Sequence, residues 1–207
     1  MKFQNHYKMG CLIWENMAKN DMPLPKIPFV LGNLVPDLTI FFLIKLHSYA
    51  LCACRVNSLL RRLYKCNKSP NRFLFSIRAG IMSHYLCDFL CYPHTSAFKG
   101  SIREHALYEK NQTVSTDDIM LPFNKYESMD FNLHNLTIAL ERRITRREKL
   151  FLLNTDMSSF DIAFAIHVAT WTSSAAYIHV EKLFSIRTRR TRVVPPNLLT
   201  GEAFGEA

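Results

Sequence analysis

Apolar residues recur at helical spacing in several long stretches of this chain, and polar or proline-rich segments separate them. Residues 5–18 set Tyr7, Cys11, Trp14 and Met17 or Ala18 on one stripe, the spacing of an amphipathic helix. The proline-spaced stretch 22–36 predicts mostly extended or looped chain. Helices are predicted next over 46–64 and 70–90, with Pro70 near the start of the second and Pro93 just past its end. Residues 101–110 form a shorter predicted helix: Ser101 is its N-cap and Glu104 completes a capping box. A polar loop over 111–122 leads to two last helices, 130–153 and 158–190. Evenly spaced short strands are lacking and Gly is scarce at six residues, so the pattern predicts an all-α fold. The expected organisation is a single-domain multi-helix bundle over residues 1–192, with a flexible tail over 193–207.

A length of 207 residues suits one buried core, and 48% apolar residues suit a soluble globular chain. The longest apolar run near the front, Leu38 to Ile44, is far shorter than the ~20 residues of a membrane span. Residues 162–180 are longer but hold His167 and a Thr/Ser cluster, and they read as a buried core helix. The opening MKFQNHYKMG has no apolar signal core, so no cleaved leader is expected and a cytoplasmic location is. Six cysteines without CxxC spacing then read as reduced, buried thiols.

The net charge of +9 predicts attraction to anions: nucleic acid, acidic lipid headgroups or phosphate esters. Two late basic runs, Arg142 to Lys149 and Arg187 to Arg192, carry much of the excess and read as a solvated helix face and a frayed tail.

Metal-ligand residue types concentrate in the middle of the chain. His84 and Asp88 stand four apart in an otherwise apolar stretch, so they share a helix face and can converge on one cation. His105 and Glu109 repeat that spacing on the next predicted helix, and His94 lies between the pairs after Pro93. Upstream, Asp37 precedes an apolar run, where an unpartnered buried carboxylate costs several kcal/mol. His47 follows ten residues later, and His6 lies near the apolar stripe of the first helix. His134, His167 and His179 read as structural, and Trp14 and Trp171 as core. No Gly-rich phosphate loop and no Gly-x-Ser-x-Gly elbow occurs, so nucleotide-fuelled chemistry and serine hydrolysis lack support.

The ordered series His6, Gly-Asn-x-x-Pro-Asp37, His47, His84-x-x-x-Asp88, His94, His105-x-x-x-Glu109 resembles the zinc ligands of zinc-dependent phospholipases C across about residues 1–110. The resemblance implies an all-helical fold with a zinc cluster in a cleft. It implies that Asp37, His47, His84 and Asp88 hold one zinc ion. His94, His105 and Glu109 would hold a second, and His6 with a bridging Asp88 would contribute to a third. Two or three ions are therefore expected. Exported members complete the third site with a processed N-terminal tryptophan, whereas this chain begins Met1-Lys2-Phe3.

The implied chemistry is phosphodiester hydrolysis, a metal-bound hydroxide attacking phosphorus with Asp37 orienting the water or accepting its proton. The expected substrate is a phosphodiester, with a phospholipid headgroup favoured and peripheral membrane contact compatible with the charge. Single-strand-specific zinc nucleases share the fold and a similar ligand series, which keeps nucleic acid as the alternative. A non-catalytic zinc-binding helical protein is the third reading. No obligate protein partner is inferred.

Overall fold

The computed structural model describes residues 2–38, 48–65, 71–112, 114, 132–153 and 158–192. Its elements are helices α1 (Phe3–Lys19), α2 (Lys26–Leu38), α3 (Tyr49–Tyr64) and α4 (Arg72–Phe89), then a 3₁₀ turn (Tyr92–His94). Helices α5 (Ile102–Asn111), α6 (Leu133–Leu153) and α7 (Ser158–Arg192) complete the fold. Among the described residues there is no strand, and the fold is all-α as the sequence pattern requires.

Helix α4 is the hub, in contact with α1, α2, α3 and α7. Its ends follow the sequence signals: the Asn71 side chain accepts from Leu74 N at 3.2 Å, and Pro93 lies just beyond. The core wraps it with Ile13 and Met17 of α1, Phe29 of α2, Leu60 and Leu63 of α3, and Trp171 of α7. Helix α7 is buried around much of its middle. There Thr170 and Thr172 return their hydroxyls to the carbonyls of Ile166 and Val168 at 2.8 Å each, so neither of these two hydroxyls is stranded. No helix among the described residues is long and apolar enough to cross a membrane.

The structure overturns the loop expected over 22–36. Helix α2 occupies most of it, and two circumstances reconcile it with its prolines. Pro28 is the third residue of the helix, where a backbone N–H has no intrahelical partner to lose. Pro36 lies in the last turn, where one missing hydrogen bond is tolerable. Packing against α4 decides the rest. A Cβ on Gly32 would stand 2.3 Å from the Ile77 carbonyl oxygen, and one on Gly80 would stand 2.1 Å from that of Phe29. The two glycines let the backbones meet, and the burial this permits outweighs local propensity.

Two smaller expectations also change. Cys54 is exposed, because it points away from the stripe of α3 that Val56, Leu60 and Leu63 bury. Within the basic run of α6, Arg147 is almost wholly buried because Asp161 of α7 faces it, whereas Arg142 and Arg146 do lie on the solvated face. The proposed tail 193–207 and His47 lie outside the described residues.

Candidate metal centre

Five elements deliver the titratable groups: α1, α2, α4, the 3₁₀ turn and α5. His84 and Asp88 lie one turn apart on the inner face of α4, and both are fully buried. His6 of α1 is also fully buried, its ring stacked on that of His84 at 3.9 Å. Asp37, near the end of α2, is the most open of the four, with 22% of its side chain exposed. The close glycine contact of α2 with α4 brings it into reach of His84. Gly10 performs the same service between α1 and α2, where an added Cβ would stand 2.7 Å from Asn33 Nδ2.

Asn33 sits at this junction. Its side chain donates to the His6 carbonyl at 2.6 Å, and its own carbonyl pairs with His84 Nδ1 at 2.9 Å. Since a carbonyl only accepts, His84 Nδ1 carries the hydrogen, and a neutral ring turns the lone pair of Nε2 inward. That nitrogen faces Asp37 Oδ1 at 3.6 Å and Asp88 Oδ2 at 3.4 Å. Three electron-rich atoms at such separations require a cation or a proton among them. His6 Nε2 lies 4.0 Å from Asp37 Oδ2 and 3.2 Å from Asp88 Oδ1. Neither ring nitrogen of His6 makes a hydrogen bond, despite complete burial.

The second group assembles from the 3₁₀ turn and α5. The capping box fixes the start of α5, with Ser101 N donating to Glu104 Oε2 at 2.6 Å and Glu104 N to Ser101 Oγ at 3.3 Å. One turn further on, His105 and Glu109 share a face, and His105 Nε2 lies 2.7 Å from Glu109 Oε1. His94 Nε2 approaches the same oxygen at 3.2 Å and reaches Asp88 Oδ1 at 3.6 Å. Asp88 thus stands between the two groups.

Electrostatics follow from this crowding. Burial raises the Asp88 pKa, but the positive charge of the chain's N-terminal amine, and after it the imidazoles of His94, His6 and His84, outweigh it and the carboxyl falls well below its usual range. Glu109 follows the same balance, burial being overcome by hydrogen bonds from His105 and His94. Burial also lowers the pKa of His94 against the pull of Asp88, which favours the neutral ring that metals bind.

The sequence pattern of proteins described as zinc dependent phospholipase C matches residues 5–149, well over half of the chain. The chain belongs to the zinc-dependent phospholipase C family. That membership spans all eight ligand positions expected from the sequence and runs past residue 110 into α6. No curated protein and no solved structure gives a significant match.

The donor set suits the metal that the family requires. In a tetrahedral site with ligands about 2.0–2.1 Å from zinc, neighbouring donor atoms lie roughly 3.3 Å apart. His6, Asp37 and His84 offer donor atoms within 4.8 Å of one another, as do His94, His105 and Glu109. His6 thus lies within reach of Asp37 and His84 as well as of Asp88, the ligand with which the resemblance pairs it at a third ion. Of the three remaining histidines, His134 is exposed and His179 stacks on Tyr64 at 4.2 Å. His167 is half-buried on α7. A cavity of about 340 Å³ opens beside His94 and His105, walled by Pro93, Phe98 and Ile102 with Ser48, Ser96 and Glu148. Sequence reasoning had assigned Asn33 no role. The available signal was an amide side chain set among Gly32, Leu34 and Val35.

Proposed function

We propose that the chain is a zinc-dependent phosphodiester hydrolase acting on a phospholipid or a similar ester. His6, Asp37, His84 and Asp88 hold one ion in this reading, with His47 as a further ligand. His94, His105 and Glu109 hold a second, with Asp88 between. The observation that carries the proposal is the buried inward-facing Nε2 of His84, opposed by two carboxylate oxygens at 3.4 and 3.6 Å. Bound zinc supplies activation of water near neutral pH and positive charge opposite the phosphate oxygens.

The chain's own residues contribute the rest. Asp37 alone among the first group is open enough to meet substrate, and its carboxylate accepts the proton of the attacking water. The Asn33 carbonyl holds the His84 ring in one tautomer. The cavity beside His94 and His105 receives the organic part of the ester against Pro93, Phe98 and Ile102.

Purified full-length protein, prepared without chelator, should carry at least two zinc ions and hydrolyse an activated diester such as bis-nitrophenyl phosphate. Asp37→Asn and His84→Ala should each abolish turnover, while His134→Ala, on the exposed face of α6, should stay near wild type. Phosphatidylcholine should yield a phosphorylated headgroup. Nucleotides released from single-stranded DNA without that product would transfer the assignment to a nuclease. A fully zinc-loaded chain that turns over neither would leave a metal-binding protein without this chemistry.

A further inference from the structure

Beyond the family match, α7 contributes a carboxylate that bears on the second ligand group. Asp161 is fully buried, and its three hydrogen bonds run to three different elements. Tyr92 N donates to Oδ2 at 3.3 Å from the start of the 3₁₀ turn, two residues before His94. Tyr108 donates its hydroxyl to the same oxygen at 2.6 Å from α5, one residue before Glu109 and three after His105. Arg147 of α6 pairs with Oδ1 through Nη2. Around this hub the ring of Tyr92 packs on Phe98 at 5.4 Å, Tyr108 at 6.0 Å and Phe151 at 5.4 Å.

The arrangement is demanding. Helix α5 itself buries no residue fully, so little apolar packing holds it. Its orientation rests on the inward contacts of His105, Tyr108 and Glu109. A buried carboxylate that ties the turn and α5 to one point fixes the distance between the backbones that carry His94 and Glu109. Replacing it with an amide of the same shape keeps the volume but turns an N–H₂ group either to the two donors at Oδ2 or to the guanidinium at Oδ1, and removes the negative charge that Arg147 faces.

We propose that Asp161 is the positioning residue of the His94, His105 and Glu109 group, setting its affinity for metal without touching the ion. The inference rests on the metal-centre reading above. Cobalt(II) titration of the metal-free full chain, followed by visible absorption, tests it. The wild type should bind at both groups, and a chain that binds at neither overturns the metal-centre reading together with this inference. Asp161→Asn should weaken binding at the second group by about 10- to 100-fold and change its absorption band, as loss of a group that orients metal ligands does. Binding at the first group should be unchanged. In a His105→Ala background, where the second group is already broken, Asp161→Asn should add nothing. Tyr108→Phe, which removes a single donor, should give a smaller loss of the same kind and carries the test if Asp161→Asn does not fold. Unchanged cobalt affinity, or an equal loss at both groups, would show that Asp161 serves only the fold.

Discussion

Asn33 joins three helices through two hydrogen bonds, one from its side chain and one to its backbone. Asn33→Leu keeps the size and loses the amide, so the buried His6 carbonyl loses its side-chain donor and keeps only its partner within α1. Loss of one such hydrogen bond costs about 0.5–1.5 kcal/mol. Urea denaturation of the metal-free chain should register that decrease, and an unchanged midpoint would deny the amide its role. Some of the residue-scale picture was legible beforehand. His84 and Asp88 declared themselves because an apolar stretch offers no other use for them at that spacing, and Ser101 with Glu104 announced its own capping box. Arg147 did not, because the partner that justifies its burial arrives from another helix.

Among the elements, α2 shows where a single sequence misleads. Its prolines argue locally for extended chain, and the deciding contact, Gly32 and Gly80 against the opposing backbone, joins positions far apart in the sequence. The other helices were legible to within a few residues, since their apolar stripes and terminal residues agree with the packing they enter. Gly80→Ala tests the contact. Its new methyl would lie 2.1 Å from the Phe29 carbonyl oxygen, which sits in rigid backbone and cannot turn aside. Overpacking of this kind costs about 1–3 kcal/mol or more. The separation of α2 from α4 should also grow, weakening metal binding where Asp37 and His84 face each other. A variant of wild-type stability and metal content would contradict this account.

At the scale of the molecule, the ligand groups draw on α1, α2, α4, the 3₁₀ turn and α5, so a bound ion ties together segments from residue 6 to residue 109. Metal bound by the native state alone stabilises it by mass action, about 2.7 kcal/mol for a site at 100 times its Kd. Exhaustive chelation should therefore lower Tm by several degrees and restoring zinc should recover it. Identical melting curves with verified metal loss would show that the helices hold the site without help.

Asp88 has a further consequence, concerning the order of events. One of its oxygens lies 3.2 Å from His6 Nε2 and 3.6 Å from His94 Nε2, so a single carboxylate serves both halves of the centre. The first ion to arrive draws charge from that carboxylate, and the second meets a poorer donor and a neighbouring positive charge. Loading should consequently proceed as a sequence, with two unequal affinities in a calorimetric zinc titration. Asp88→Asn should depress both. Equal and independent steps would mean that each half of the centre fills without regard to the other.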